Sequence, residues 1–163
     1  MGIGKNTPCR GRMSSQENDI FYTCGLIAFI ARLSKNHPHY IAQKLGHENI
    51  AEINNLADVL HSENIEAVAD RYIHDTNITN GNFDNIAECQ FTTPSHWDIA
   101  KVYKRLVMQI INYEKCTEAK AIAKAYESPV CMLIEDYNSS FYYENPGCIF
   151  ETYLNNGMPI QED

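Results

Sequence analysis

The chain has 163 residues, of which 44% are hydrophobic and 10% are aromatic. This length fits one domain with a single core, and the apolar content is too high for an intrinsically disordered protein. The formal net charge of -8 at pH 7 argues against direct nucleic-acid binding, which needs a basic surface, and is typical either of a protein with a basic partner or simply of a soluble one.

The two ends of the chain are predicted to lie outside the folded domain. Residues 1–13 contain basic residues but lack the apolar stretch of a secretory signal, so we expect a flexible N-terminal leader there. A single helical domain is expected over residues 14–157, followed by a C-terminal tail at 158–163. The longest uncharged run, residues 20–31, is shorter than the roughly 18–20 residues of a membrane span, which predicts a cytoplasmic protein without a membrane partner.

The first predicted helix covers about residues 19–34 and is apolar on every side. Its apolar residues are Ile20, Phe21, Cys24, Leu26, Ile27, Phe29, Ile30, Ala31 and Leu33. A helix that is apolar all round packs against several neighbours rather than one. This helix is therefore predicted to be the central helix of the domain.

Helical periodicity continues along the next part of the chain. Pro38 and Gly46 suit the start and the end of a short second helix, and a third helix is predicted over about 48–60. Ser62 is the predicted cap of a fourth helix whose apolar positions begin at Ile65. Residues 76–94 then form the one long connection.

Three further helices complete the predicted fold. The fifth covers about 96–114, and the spacing of Ser95 and Asp98 predicts a capping box at its start. The sixth begins near Thr117 and is interrupted at Pro129, and the last starts at Pro146 and ends before residues 156–157. Short connections between so many helices predict an all-α fold, a compact bundle of about six to eight helices around a central apolar helix.

Residues 41–46 resemble the first helix and turn of a helix-turn-helix motif. The helix that would meet DNA, within residues 47–60, carries three acidic residues and no Lys or Arg. DNA recognition needs cationic contacts to phosphates. We therefore predict ordinary bundle packing for this segment and no direct contact with nucleic acid.

Two residue sets leave an enzymatic alternative open. His74 and Asp75 form the adjacent pair that holds metal in some helical phosphohydrolases. Cys89 and His96, with Asp98, provide the nucleophile, base and carboxylate of a thiol hydrolase. No wider motif surrounds either set, so we expect no metal, no cofactor and no catalytic residue, and a small hydrolase remains the alternative.

Aromatic residues indicate a candidate partner-binding surface. Trp97 lies at a predicted helix start, and four more rings lie in the connector before the last helix: Tyr137, Phe141, Tyr142 and Tyr143. Tyr and Trp are enriched in binding hot spots, and helix starts and connectors often expose side chains. These five residues are predicted to bind a partner, and the alternative is that they close the ends of the bundle.

Three segments carry a resemblance to known proteins. They are Phe21-Tyr22-Thr23-Cys24 with Leu26-Ile27-x-Phe29-Ile30, Ala57-Asp58-Val59-Leu60-His61 with Glu63-Asn64-Ile65-Glu66, and Pro94-Ser95-x-Trp97-x-Ile99-x-Lys101-Val102-Tyr103. Together, over roughly residues 19–155, the chain resembles a family of small uncharacterised all-helical bacterial proteins. Genes of this kind look like those in mobile or toxin-antitoxin-like neighbourhoods, some beside ADP-ribosyltransferase-like proteins. The resemblance implies no catalytic residue and favours an antitoxin, immunity or inhibitor role.

The sequence thus predicts a non-enzymatic, acidic binding protein that neutralises or regulates a protein partner with a basic surface. In such a protein the acidic surface steers association and aromatic side chains act as anchors. A second hypothesis is a phage or mobile-element inhibitor of a host nucleic-acid enzyme, an anti-CRISPR-like phosphate mimic whose carboxylates imitate phosphate spacing.

Overall fold

The computed structural model describes residues 13–158, and this part of the chain contains helices and no strand. The elements are α1 (Ser15–Ser34), α2 (Pro38–Leu60), α3 (Ile65–Asp75), α4 (His96–Glu114), α5 (Glu118–Glu127), α6 (Val130–Ile134), a 3-10 turn (Phe141–Tyr143) and α7 (Pro146–Leu154). The predicted all-α bundle of six to eight helices is confirmed. The predicted leader and tail lie outside the described residues, apart from Met13 and Met158.

Helix α1 is the central element of the bundle. Its start is fixed by a capping box in which the Ser14 hydroxyl accepts from the Glu17 N–H and the Glu17 carboxylate accepts from the Ser14 N–H. More than half of its 20 residues are buried, and it contacts α2, α3, α4 and α5. The absence of charge between Asp19 and Arg32 makes this burial favourable on every side.

The second and third predicted helices form one element, α2, that breaks at Gly46. The Gly46 backbone has φ 73° and ψ 170°, a left-handed conformation that glycine adopts without steric cost. The prediction that Ser62 caps the next helix is wrong, since the Asn64 side chain accepts from the N–H groups of Glu66 and Ala67. Ser62 instead donates to the Val59 carbonyl and closes α2.

The remaining helix boundaries follow the sequence signals. The Ser95 and Asp98 capping box at the start of α4 is present, and Thr117 caps α5. Pro129 separates α5 from the short α6 because it has no N–H to continue the helix. Gly157, at φ 81°, lies in the turn that follows α7.

The long connection between α3 and α4 is held by the C-terminal end of α1. The Gly81 N–H donates to the Ser34 carbonyl at 2.8 Å, and the Arg32 guanidinium donates to the Pro94 carbonyl at 2.8 Å. Both ends of the connection are therefore anchored on the same turn of the central helix.

A buried carboxyl joins this connection to the core. Glu135 is 3% exposed and accepts hydrogen bonds from the Tyr103 hydroxyl at 2.8 Å, the Tyr137 hydroxyl at 2.9 Å and the Asn85 amide at 3.1 Å. Arg32 donates to the Tyr137 hydroxyl at 2.9 Å. Burial raises the pKa of the Glu135 carboxyl, although these donors and Arg32 act in the opposite direction.

The core assignment predicts the effect of a buried charge. Ile27 and Leu106 are both buried, and changing either to Asp should lower the free energy of unfolding by about 3–5 kcal/mol, because the carboxylate would have no partner. Leu33→Asp is the matched control, since Leu33 lies on α1 but is exposed. Urea denaturation measures all three, and wild-type midpoints for both core variants would contradict the fold.

The Glu135 cluster predicts a pH dependence of stability. Because burial raises the folded-state pKa of Glu135 above its ordinary value of 4.5, the favourable contribution of Glu135 is complete below that value and is lost as the pH rises through the folded pKa. Stability measured from pH 4 to 7 should therefore fall more for the wild type than for Glu135→Gln. Parallel pH profiles for the two proteins would contradict the raised pKa.

Candidate partner-binding groove

An open groove of about 400 Å³ lies where the first turns of α1, the end of α2 and the start of α4 meet. Aromatic side chains form its wall, and the carboxylates of Asp19, Asp58 and Glu63 form what we call the acidic rim. The lining residues are Asn18, Asp19, Phe21, Tyr22, Ala57, Asp58, His61, Glu63, Ile65 and Trp97. The volume lies in the range of about 300–1,000 Å³ that is typical of ligand sites.

Three rings, Phe21, Tyr22 and Trp97, form what we call the aromatic wall. Trp97 is the second residue of α4, and its ring centroid lies 5.2 Å from that of Phe21 and 6.4 Å from that of Tyr22. The interplanar angles are 36° and 42°, so the rings are tilted rather than stacked. Phe21 and Trp97 are half-buried and Tyr22 is buried, so the wall presents a partly exposed apolar surface to the groove.

A glycine on α1 provides the space for Trp97. A Cβ atom at residue 25 would overlap the Cζ3 atom of the Trp97 ring. The indole ring thus lies directly against the α1 backbone, and its centroid lies 4.7 Å from that of the His96 ring. The absence of a side chain at residue 25 fixes the position of the aromatic wall.

Two of the acidic side chains on the rim of the groove have no ion-pair partner among the residues that the structure describes. Glu63 pairs with Arg71 at 3.2 Å, but within residues 13–158 no Lys or Arg lies within ion-pair distance of Asp19 or Asp58. Burial raises the pKa of the Asp19 carboxyl, and the negative charges of Glu118 and Asp58 raise it further. Such a site favours a bound cation, which would relieve the repulsion between carboxylates.

The Tyr22 hydroxyl is a buried polar group without a partner. The residue is 6% exposed, and its hydroxyl makes no hydrogen bond within the described part of the chain. Burial raises the pKa of Tyr22, the Glu63 charge raises it further, and the Arg71 charge acts in the opposite direction. An unpaired buried hydroxyl is unfavourable by about 1–3 kcal/mol.

The five predicted partner-binding residues do not form one surface, although three connector rings contact one another, with the Tyr142 centroid 5.6 Å from that of Tyr137 and 4.3 Å from that of Tyr143. Trp97 lines the groove, whereas Tyr137 and Tyr142 are 3% and 7% exposed and pack into the bundle. Phe141 is half-buried, and Tyr143 is 74% exposed. The Tyr137 ring points inward because its hydroxyl donates to Glu135, so only Tyr143 of the connector presents most of its surface to solvent.

The proposed thiol-hydrolase residues have other partners in the structure. The Cys89 thiol donates to the Phe91 carbonyl at 3.3 Å, and the His96 ring packs against Phe29 at a centroid distance of 5.3 Å. The Asp98 carboxylate accepts from the Ser95 N–H as part of the helix cap. No hydrogen bond among residues 13–158 joins Cys89 to His96.

The proposed metal dipeptide lies on the surface. His74 and Asp75 are exposed, and their side chains approach to 3.5 Å. Across the portion of the chain that the structure describes, no group of three or more His, Cys, Asp or Glu residues has the geometry of a metal site. The dipeptide forms a surface pair on the last turn of α3.

The sequence places Trp97 among the candidate binding residues but gives no indication of the acidic rim. Asp19 and Asp58 lie on different helices, and helical periodicity gives no information on which helix ends meet. The only sequence signal was negative, namely that residues 47–60 lack Lys and Arg. That absence leaves Asp58 without a neighbouring cation on its own helix.

Comparisons of the chain with protein-family models, curated proteins and solved structures return no match. Among the helices within residues 13–158, none is both long and apolar enough to cross a membrane.

The close contact between the Trp97 ring and Gly25 predicts the effect of a larger residue at position 25. Gly25→Ala should displace the indole ring, lower the free energy of unfolding by about 1–3 kcal/mol and shift the fluorescence emission of Trp97, the one tryptophan of the chain. The matched control is Gly147→Ala on α7, where the nearest atom to the added Cβ is the Asn145 side-chain oxygen at 3.1 Å. Wild-type emission and stability for Gly25→Ala would contradict the contact.

Proposed function

We propose that this chain is a non-enzymatic binding protein that neutralises or regulates a protein partner with a basic surface, as an antitoxin, immunity protein or inhibitor does. The proposal rests on the groove in which the aromatic wall lies beside the carboxylates of Asp19 and Asp58. Neither carboxylate has a Lys or Arg partner among residues 13–158. A groove of this chemistry suits a basic segment of a partner protein.

The physics of protein interfaces supports this proposal. Rigid aromatic anchors in concave sites supply much of the binding energy at interfaces, and complementary charge supplies steering and orientation. The stems of Lys and Arg pack well on aromatic rings while their charged groups reach carboxylates. The net charge of -8 extends the attraction for a basic partner beyond the groove itself.

The gene neighbourhoods of the family that the sequence resembles favour a toxin as the partner. The second hypothesis, an inhibitor of a host nucleic-acid enzyme, also calls for a basic partner because such enzymes hold phosphates in cationic channels. The identity of the protein bound in the native host separates the two hypotheses. Affinity capture with the wild-type chain, and with Trp97→Ala as the matched bait, would identify proteins that bind through the groove.

Binding kinetics with the captured partner test the proposal. Trp97→Ala should raise the dissociation rate at least about tenfold, because it removes a hot-spot anchor. Rising salt should lower the association rate, since charge steering is screened over about 10 Å at 0.1 M salt. Tyr113→Ala is the matched control, because Tyr113 is an exposed ring on α4 that lies outside the groove and outside the predicted partner-binding residues.

Two results would contradict the proposal. Affinity that changes neither with salt nor with Trp97→Ala would remove the groove as the binding site. Catalytic turnover by the purified protein that is lost in Cys89→Ala would support the hydrolase alternative instead.

A further inference from the structure

We infer that residues 79–94, which we call the strap, open from the folded bundle as one unit, and that the Glu135 carboxyl and the His37 ring beneath the strap make this opening respond to pH in opposite directions. The strap belongs to the long connection between α3 and α4. No residue of the strap lines the groove, so its opening is independent of the proposed function.

The strap is held by polar contacts rather than by apolar packing. Within residues 79–94 only Pro94 is buried, and the large apolar side chains of Ile86 and Phe91 are exposed. A segment with few buried apolar contacts opens at a lower free energy than the core around it. The helices should therefore stay folded while the strap opens.

The first half of the strap is bonded to the end of α1. The Gly81 N–H donates to the Ser34 carbonyl at 2.8 Å, and the Phe83 N–H donates to the Lys35 carbonyl at 2.9 Å. Both bonds join backbone to backbone, so they break only if the strap moves away from α1.

The second half of the strap is bonded to one side chain of the segment that follows α6. The Gln90 N–H donates to the Asn138 side-chain oxygen at 2.7 Å, and the Asn138 amide donates to the Glu88 carbonyl at 3.0 Å. Between the two halves, the Asp84 carboxylate accepts from the Ala87 N–H at 3.0 Å and closes a turn. This turn connects the halves, so the loss of one set of bonds should weaken the other.

Glu135 lies beneath the middle of the strap. The Asn85 amide donates to the Glu135 backbone carbonyl at 2.8 Å and to its carboxyl at 3.1 Å, and Phe83 and Asn85 line both clefts that border Glu135. Opening of the strap would admit water to this carboxyl, which is 3% exposed. Because burial raises the pKa of Glu135 above 4.5, opening should become easier as the pH rises from 4.5 to the pKa of the closed form.

His37 lies beneath the same strap and has the opposite effect. Its ring centroid lies 4.8 Å from that of Phe83, and its Nε2 atom is buried without a hydrogen-bond partner in the described part of the chain. Burial, and to a lesser degree the charge of His39, lowers the pKa of His37 from 6.5 to about 4. Since water would stabilise the protonated ring, opening should become easier as the pH falls from 6.5 to about 4.

Other charged and titratable groups face these two residues from each element packed against them. They are Arg32 on α1, His39 on α2, Tyr103 on α4, Tyr126 on α5, Cys131 on α6, Asp136 and Tyr137 after α6, and Asp84 and Glu88 on the strap. Burial raises the pKa of the buried tyrosines and of Cys131, so these groups stay neutral in this pH range. All of these groups are kept in the variants below, and differences between variants therefore report Glu135 and His37.

Native-state hydrogen exchange of the full chain tests whether the strap opens as one unit. The amides of Gly81, Phe83 and Gln90 should share one opening free energy that is smaller than that of the α1 amides. Asn138→Ala should speed exchange at all three amides at least about tenfold, although Asn138 bonds only to the second half of the strap. Asn155→Ala, the same substitution at an exposed residue after α7, should leave the three rates unchanged.

The same amides, corrected for the intrinsic pH dependence of exchange, test the pH response between pH 4.5 and 6.5. In Glu135→Gln only His37 remains, so the opening constant should fall as the pH rises. In His37→Asn, which keeps an acceptor at the start of α2, only Glu135 remains and the constant should rise. Each change is at most about tenfold per pH unit, because each residue binds one proton.

Faster exchange confined to Gln90 in Asn138→Ala would overturn the opening as one unit, and so would strap amides that exchange only with global unfolding. Opening constants that change with pH in the same direction in Glu135→Gln and His37→Asn, or as in the wild type, would overturn the pH response. The α1 amides, recorded in the same samples, separate loss of the strap from a general loss of stability in any variant.

Discussion

The burial of α1 on every side is the constraint on which the rest of the structure depends. A helix without charge between Asp19 and Arg32 must be covered by several neighbours, and α2, α3, α4 and α5 all contact it. Charge returns only at its two ends, where Arg32 holds the long connection and Asp19 lines the groove. The candidate site therefore lies at the point where the central helix meets solvent.

A second polar network links the packing of α1 to the electrostatics of the groove. The Thr23 hydroxyl lies 3.1 Å from the Asn54 side-chain oxygen, and the Asn54 amide donates to Glu118 at the start of α5. Glu118 is one of the negative charges that raise the pKa of Asp19. The residues that hold α1, α2 and α5 together thus also make the rim of the groove more negative, and a bound cation would relieve that repulsion.

Local signals predicted most of the fold, and tertiary contacts decided what could not be predicted. Ser95, Pro38 and Gly46 mark helix boundaries through their local preferences for a cap, a first turn and a break, so these boundaries could be predicted from the sequence. The choice of Asn64 over Ser62 as a cap depends on where α2 ends. The Tyr137 ring points inward because its hydroxyl donates to Glu135, and helical periodicity does not predict that this carboxyl is buried. The groove depends on which helix ends meet, which periodicity does not predict either.

The central claim is that a partner protein docks in the groove formed by the ends of α1, α2 and α4. Hydrogen–deuterium exchange of the chain, alone and bound to its captured partner, tests this claim most directly. The account predicts slower exchange in the complex for the first turns of α1, for residues 57–65 and for the start of α4. Slower exchange confined to α5 and α7, with the groove segments unchanged, would contradict it.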